Sequence, residues 1–210
     1  MTEGQVSFPT ADGLELEGLL HQGKGANEGR WVMLCHPHPL YGGDMHNNVV
    51  EALQRSLARE GFSTLRFNFR GVGGSRGEYG EGAGEVKDVR GAVDFIAREA
   101  GADHDCYLLG YSFGAYVGVQ GVTADNRVKA IMCISPPVAL YDFAVLKEEE
   151  RPKLIVSGQR DLICPVLPVE ELFAALPEPK TMHICPGADH FWWGMEAHIT
   201  DYVLDFFQGL

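Results

Sequence analysis

Residues 106–118 read CYLLGYSFGAYVG, in which a short apolar run ends in Gly-x-Ser-x-Gly and continues into small residues with helical spacing. The stretch predicts a strand, a tight turn with Ser112 at its apex, and a helix. Gly110 and Gly114 flank the turn, where small residues let the strand and the helix pass closely. The turn also places the Ser112 hydroxyl at a helix N-terminus, whose N–H groups favour a developing negative charge. Ser112 is therefore a candidate nucleophile.

The length and composition of the chain exclude several classes of protein. The 210 residues suit a single domain spanning 1–210. Acidic residues outnumber basic ones by 29 to 17, and the formal charge of -12 argues against nucleic acid or an anionic membrane surface as a partner. No apolar run has the length of a membrane span, and the segment Met1 to Gln5 lacks the features of a signal peptide. We therefore expect a cytoplasmic protein, in which the 5 cysteines are mostly buried thiols.

The rest of the chain predicts an α/β fold. Residues 6–20 form two alternating runs around Ala11-Asp12-Gly13, a turn signal of a β-hairpin. Residues 31–35 are continuously apolar, which is typical of a strand buried on both faces. Strand-like and helix-like segments then alternate, with strands at 64–69, 107–109, 130–134, 153–156 and 181–184, and helices at 47–60, 85–100, 113–122, 169–176 and 196–207. This order predicts a mostly parallel, twisted sheet with helices on both faces and an N-terminal antiparallel hairpin.

The glycine-rich loop 70–77 follows a predicted strand, but it does not match a dinucleotide-binding motif. Glycines at 71 and 73 require a third small residue at 76, where the chain has Arg76, and no helix begins there at once. We interpret the loop as a tight turn near the site, and we expect no cofactor.

A nucleophilic serine needs a base to accept its proton and an acid to orient that base. In this kind of fold the three follow in the order serine, acid, histidine. Of the histidines that follow Ser112 with room for an acid, His183 lies within a predicted strand and His198 within the last predicted helix. His190 lies in the loop that leaves the final strand, where active-site loops of an open α/β sheet converge. His190 is therefore the predicted base.

The acid is chosen from the carboxylates between Ser112 and His190. Most of these carboxylates lie in helical or charge-rich segments that are typical of solvated surface. Asp161 follows the buried-type strand that ends at Gly158 by a short loop, and so emerges at the carboxyl edge of the sheet. We predict Asp161 as the acid and interpret Asp189 as a surface carboxylate.

Two backbone N–H groups are expected to form an oxyanion hole. One belongs to Phe113, directly after the nucleophile, and the other to the loop that follows an earlier strand. That loop begins at His36, and Pro37 and Pro39 within it have no N–H to donate. The predicted second donor is Leu40 or Tyr41, of which we favour Leu40.

The same loop contains histidines that must be weighed as metal ligands. His36, His38 and His46 lie close together in sequence with Asp44, and a catalytic zinc needs three converging ligands. The alternating prolines restrict how His36 and His38 converge, and no H-E-x-x-H motif is present. We therefore predict no metal, and favour a role for these imidazoles in hydrogen-bonding the loop.

Taken together, the motifs resemble the α/β-hydrolase superfamily, and most closely its small lid-less dienelactone-hydrolase-like serine esterases. The resemblance extends over nearly the whole chain and rests on five segments: Cys35-His36-Pro37-His38-Pro39 with Gly42-Gly43, Leu65–Gly73, the Ser112 turn, Gly158-Gln159-Arg160-Asp161, and Gly187–Phe191. It implies that Ser112 is the nucleophile, with Asp161 and His190 as its partners and with Leu40 and Phe113 as oxyanion donors. Dienelactone hydrolase itself uses a cysteine, so Ser112 points to general ester chemistry.

Many members of this superfamily carry a cap after the strand that follows the nucleophile helix. Here only residues 135–152 are available, which is room for a loop and a short helix. We therefore expect no cap domain and an open site. Aromatic residues that are candidates to line it are Tyr41, Tyr141, Phe143, Trp192 and Trp193.

The leading functional hypothesis is a serine hydrolase that cleaves small or exposed carboxylic esters or thioesters through an acyl-enzyme on Ser112. A peptidase or an acyltransferase with the same triad is an alternative, because the triad fixes the chemistry at the carbonyl but not the leaving group. A non-catalytic interaction protein on a hydrolase fold is the other alternative, because one fold hosts many functions. The sequence predicts a small-molecule ester as the partner.

Overall fold

The computed structural model describes residues 3–101 and 104–210. Met1 and Thr2, which belong to the segment compared above with a signal peptide, lie outside the described residues. The strands are β1 (Gly4–Pro9), β2 (Glu15–His21), β3 (Arg30–Cys35), β4 (Ser63–Phe67), β5 (Asp105–Tyr111), β6 (Val128–Ile134), β7 (Lys153–Gly158) and β8 (Lys180–Cys185).

The strands form one 8-stranded sheet in the order β1-β2-β4-β3-β5-β6-β7-β8. Strands β1 and β2 form the predicted antiparallel hairpin, and β2 also pairs antiparallel with β4. From β4 to β8 every pairing is parallel. The predicted fold class is confirmed, and the carboxyl ends of the parallel strands meet at one edge of the sheet.

The helices are α1 (Asn48–Arg59), α2 (Ala83–Ala100), α3 (Phe113–Val122), α4 (Val166–Ala175) and α5 (Glu196–Gln208). Helix α4 begins three residues before its predicted start. Pro168 lies in the first turn of this helix and has no backbone N–H to donate. The N–H groups in the first turn of a helix have no acceptor within the helix, so a proline is tolerated there.

The helices cover both faces of the sheet, as predicted. Side chains of α2, α3 and α4 pack in one core cluster, and side chains of α1 and α5 pack in another. Strand β5 contributes to both, since Leu108 belongs to the first cluster and Leu109 to the second. Burial on both faces explains why the apolar run before Ser112 shows no alternation with polar residues.

The turn between β5 and α3 is as tight as the sequence predicts. A Cβ atom on Gly110 would lie 2.5 Å from the carbonyl oxygen of Gly114. A Cβ atom on Gly114 would lie 2.3 Å from the carbonyl oxygen of Cys35. Ser112 itself has φ 54° and ψ -120°, a strained conformation that is uncommon for a residue other than glycine. The packing of α3 against β3 and β5 holds this conformation and lifts the hydroxyl clear of the sheet.

In the part of the chain that the structure describes, no cap domain covers the carboxyl edge of the sheet. The segment between β6 and β7 contains one short 3₁₀ helix, Ala144–Glu148, as the sequence predicted. Within residues 3–101 and 104–210, no helix combines the length and the hydropathy that crossing a membrane requires.

Candidate active site

Three of the predicted residues meet at the carboxyl edge of the sheet. The Nε2 atom of His190 lies 3.1 Å from the Oγ atom of Ser112, and its Nδ1 atom lies 2.8 Å from the Oδ2 atom of Asp161. Each of the three residues is less than a tenth exposed. The structure therefore brings the hydroxyl, the imidazole and the carboxylate into one hydrogen-bonded line, in the geometry of a nucleophile, a base and an orienting acid.

The carboxylate of Asp161 is fixed by its own loop. Its Oδ1 atom accepts hydrogen bonds from the backbone N–H groups of Ile163 at 3.0 Å and Cys164 at 2.7 Å. These bonds turn Oδ2 toward His190, where it accepts the Nδ1–H proton. The loop after β7 thereby sets the tautomer of His190 and leaves Nε2 as the acceptor that faces Ser112.

Tyr111 supports His190, and the sequence analysis did not identify it as a site residue. Its hydroxyl donates to the carbonyl oxygen of His190 at 2.6 Å, and the two rings lie 5.5 Å apart. The contact ties the end of β5 to the loop after β8. Tyr111, the residue directly before Ser112, thereby helps to position His190. The available signal was an aromatic residue with a hydrogen-bonding tip directly before the serine in the turn.

Two of the five aromatic residues predicted to line the site belong to the core instead. Trp192 is 0% exposed, and its indole Nε1–H donates to the Oγ atom of Ser135 at 3.1 Å. Its φ of 60° turns the chain after His190, which directs the indole under the loop. Phe143 is 2% exposed, and the centre of its ring lies 5.9 Å from the centre of the Tyr116 ring. These two predictions are corrected, because the indole of Trp192 is directed to Ser135 and the ring of Phe143 packs in the core.

Two of the other three candidates lie at the site, and one does not. Tyr41 and Tyr141 line the cleft above Ser112. Trp193 is 72% exposed and does not line that cleft, so its prediction as a lining residue is corrected as well.

The oxyanion loop differs from the prediction. Residues Pro39–Tyr41 form a 3₁₀ turn in which the N–H of Leu40 donates to the Nδ1 atom of His38 at 3.2 Å. The N–H of Tyr41 donates to the carbonyl oxygen of His38 at 3.1 Å. Both predicted donors thus turn back toward His38, and Leu40 is corrected as the second donor because its N–H caps this turn. Phe113 stands at the first position of α3, where an N–H has no acceptor within the helix.

His38 also connects the oxyanion loop to the loop after β4. Its Nε2 atom lies 3.2 Å from the hydroxyl of Tyr79, and its ring lies 4.7 Å from the ring of Phe113. Because Nδ1 accepts the Leu40 N–H, the proton of the neutral ring is on Nε2. The segment after β4 thus reaches the site at Tyr79, two residues beyond the glycine-rich loop 70–77. Arg70, at the start of that loop, is anchored by the buried carboxylate of Asp88, which accepts at 2.9 Å and 2.7 Å.

His36 fixes the start of the oxyanion loop. It is 0% exposed, its Nδ1–H donates to the carbonyl oxygen of Pro37 at 2.6 Å, and its Nε2 atom accepts from the N–H of Phe69 at 3.0 Å. Both ring nitrogens are used, which agrees with the role in loop hydrogen bonding predicted above. Burial lowers the pKa of His36 to about 4.

This pKa predicts a loss of stability in mild acid. The unfolded chain binds a proton at His36 below about pH 6.5, whereas the folded chain does so only below about pH 4. We expect the free energy of unfolding to fall by up to about 3 kcal/mol as the pH decreases across this window. Urea unfolding at several pH values measures it, with His36→Gln as the comparison. An equal slope in the variant would show that His36 is not responsible.

A cleft of about 810 Å³ opens above the serine. This size is typical of sites for small organic molecules. Its lining is mostly apolar and aromatic, and in the part of the chain that the structure describes it contains no aspartate, glutamate, lysine or arginine: Pro37, His38, Tyr41, Gly42, Gly43, Asn47, Tyr111, Ser112, Phe113, Pro137, Leu140, Tyr141, Ile163, His190 and Phe191.

One group of possible metal ligands occurs among the described residues. Asp161, Cys164 and His190 offer ligand atoms within 4.8 Å of one another. However, both oxygens of Asp161 already accept hydrogen bonds, and burial raises the pKa of the Cys164 thiol. The group is thus the acid and base of the site already described, and His46 is not part of it, since its imidazole pairs with Glu51 at 3.4 Å.

Comparison with known proteins is consistent with this geometry. Residues 30–148, more than half of the chain, match the family described as serine aminopeptidase, S33. An uncharacterized protein of Rickettsia prowazekii is 37% identical over 169 residues, which cover 77% of this chain and 71% of that protein.

Solved structures share the whole fold. An alpha-beta serine hydrolase homologue from Coxiella burnetii has a TM-score of 0.90 and 33% identity, and the match covers 98% of this chain and 97% of that one. XC6422 from Xanthomonas campestris, described as an a/b serine hydrolase without lid, has a TM-score of 0.89 and 25% identity over 99% of this chain and 94% of that one.

Proposed function

Since this chain belongs to the serine aminopeptidase S33 family of the α/β-hydrolase superfamily, we propose that it is a serine hydrolase that cleaves uncharged carboxylic esters or thioesters. The observation that carries the proposal is the line from Ser112 through His190 to Asp161, with contacts of 3.1 Å and 2.8 Å, at the floor of an uncharged cleft. This line supplies an activated nucleophile at a place that a substrate reaches.

In the first half of the reaction, the Oγ atom of Ser112 attacks the carbonyl carbon of the ester. The Nε2 atom of His190 accepts the hydroxyl proton, and Asp161 stabilises the imidazolium through Nδ1–H. The tetrahedral intermediate then collapses as His190 returns the proton to the departing alcohol or thiol. The acyl group remains on Ser112.

We assign the oxyanion hole to the backbone N–H groups of Phe113 and His38. His38 lines the cleft, and the hydrogen bonds of residues 3–101 and 104–210 leave its N–H without a protein acceptor. The N–H groups of Leu40 and Tyr41 are occupied by His38 itself. The bonds of the His38 ring to Leu40 and Tyr79 hold the loop in place, so the donor is oriented before the substrate binds.

In the second half of the reaction, a water molecule takes the place of the leaving group. His190 accepts a proton from the water as its oxygen attacks the acyl carbon, and the same two N–H groups stabilise the oxyanion. His190 then returns the proton to Ser112 Oγ, which releases the carboxylic acid. The free enzyme is regenerated with the same protonation as at the start. Any proton released to the solvent comes from ionisation of the product acid.

The cleft favours an esterase over an aminopeptidase. An aminopeptidase must recognise the charged terminal ammonium of its substrate, and a carboxylate is the usual partner for a buried cation. The acids Asp161 and Asp189 are unsuited to this role, since the first is committed to His190 and the second accepts N–H bonds in its own loop. Apolar side chains with few polar groups suit an uncharged acyl group instead.

A matched pair of substrates tests the proposal. We expect kcat/KM for 4-nitrophenyl butyrate to exceed that for the 4-nitrophenyl monoester of succinic acid at least about tenfold, because the anion enters a cleft without a cation. Leucine 4-nitroanilide tests the aminopeptidase alternative and should be hydrolysed far more slowly. Faster turnover of the anilide than of the esters would contradict the proposal.

A further inference from the structure

Exposed apolar side chains are concentrated at the edge of the sheet that carries the active site. Among the described residues, 9 large apolar side chains are exposed, and all except Leu210 lie on segments that follow β3, β6, β7 or β8. Four of them line the cleft. The other four, Leu40, Leu162, Leu167 and Trp193, lie outside it, and we call these four the apolar rim.

A single small ligand in the cleft does not explain the apolar rim. The four residues are 66%, 91%, 65% and 72% exposed, and none of them lines the 810 Å³ cleft. Leu40, Leu162 and Trp193 lie on segments that follow β3, β7 and β8, and Leu167 lies in the first turn of α4. All four therefore lie at the carboxyl edge of the sheet, as Ser112 does. Exposed apolar side chains that cluster in this way mark a surface that meets an apolar partner.

The charges of the protein restrict that partner. The formal net charge of -12 opposes approach to an anionic membrane or to another strongly acidic surface. The cleft inside the apolar rim has no lysine or arginine to bind an anionic headgroup. An uncharged apolar surface is therefore the partner that both the cleft and the apolar rim fit.

We propose that the apolar rim docks the protein on an uncharged lipid–water interface, and that its preferred substrates are water-insoluble neutral esters presented there. This inference rests on the proposed function, because the ester bond must reach Ser112. Leucine and tryptophan side chains that enter the interface are removed from water. This hydrophobic burial drives the binding. Since the described residues include no cap over this edge, the site is open when the protein docks.

Binding can be measured without catalysis. The Ser112→Ala variant is mixed with triolein droplets coated with phosphatidylcholine, or with phosphatidylglycerol vesicles, and the bound fraction is separated by flotation. Of the 3 tryptophans, Trp31 and Trp192 are buried, so Trp193 reports docking by a blue shift of its fluorescence. We expect flotation and a blue shift with the neutral droplets and not with the anionic vesicles.

Activity is then compared on dissolved and emulsified substrates. For tributyrylglycerol we expect the rate to rise steeply above its solubility limit. The double variant Leu162→Ser, Trp193→Ser should lose at least about tenfold of the emulsion rate, while its turnover of dissolved 4-nitrophenyl acetate stays within about twofold of wild type. Leu210→Ser is the matched control, because this exposed leucine lies at the far end of α5, and it should behave as wild type.

Results that overturn the docking proposal differ from those that overturn the proposed esterase activity. A rate that saturates below the solubility limit, or preference for the anionic vesicles, would overturn the docking proposal while leaving the esterase intact. A dimer in sedimentation that the double variant dissociates would assign the apolar rim to a second copy of the chain. Absence of 4-nitrophenyl acetate turnover, together with flotation of Ser112→Ala, would instead overturn the esterase and retain the surface.

Discussion

Replacing Ser112 with alanine is expected to reduce kcat/KM for 4-nitrophenyl butyrate by about 10⁴-fold or more, which is the scale of nucleophile loss in such triads. The variant lacks the Oγ atom, which lies 3.1 Å from His190 Nε2 in the wild type. Without this atom no acyl-enzyme can form. Alanine adds no bulk at a position where the turn is tight, so the fold should be retained. Steady-state kinetics and thermal unfolding of the purified variant measure both effects.

The matched control is Ser7→Ala on β1. The hydroxyl of Ser7 is exposed and bonds to Glu15 within the hairpin, far along the sheet order from β5. This variant should keep the activity of wild type. If Ser112→Ala retained more than about a tenth of the wild-type rate, the bond-breaking step would have to use another group.

The second large effect is expected from Asp161→Asn, with a loss in kcat of about 10⁴-fold. The backbone N–H groups of Ile163 and Cys164 bind Oδ1, so an asparagine keeps its oxygen there and turns its NH₂ group toward His190. The amide then donates to Nδ1, which places the imidazole proton on Nε2. In that tautomer His190 has no lone pair to accept the proton of Ser112.

Measuring kcat and KM separately distinguishes this effect from a loss of binding, because the cleft does not include Asp161. Asp189→Asn is the matched control. Its carboxylate is adjacent to His190 in sequence but is exposed, and among the described residues it accepts hydrogen bonds only from N–H groups in its own loop. A large loss in Asp189→Asn with little loss in Asp161→Asn would exchange the roles that we assign to the two acids.

The fold and the three central residues were predictable because both follow from where strands end. Apolar runs without alternation mark buried parallel strands, and the residues just beyond them must meet at one edge. Ser112 and Asp161 each follow such a run, His190 follows the alternating strand β8, and the structure places the three together. Their spacing in sequence carries that information without any knowledge of side-chain conformation.

The contacts of the oxyanion loop were not predictable in the same way. Prolines in the loop remove donors, and this led to Leu40, but the hydrogen-bonding direction of Leu40 depends on the ring of His38. That ring is in turn placed by Tyr79 and Phe113 from other parts of the chain. A local pattern does not contain such contacts.

Aromatic residues near the site show the same limit. Trp192 and Trp193 are neighbours with the same side chain, yet one is fully buried and the other mostly exposed. The difference arises from the positive φ of Trp192 and from its hydrogen bond to Ser135 at the end of β6. The antiparallel pairing of β2 with β4 is likewise a long-range contact that the hairpin pattern does not specify.

The most direct test is reaction of the protein with a fluorophosphonate, which phosphonylates serines that a neighbouring base activates, with loss of fluoride. Mass spectrometry of the digested adduct should find one label, on Ser112, and the labelling rate should fall by several powers of ten in His190→Ala. Labelling of a different serine, or an unchanged rate in His190→Ala, would contradict the claim that Ser112, His190 and Asp161 act as one catalytic unit.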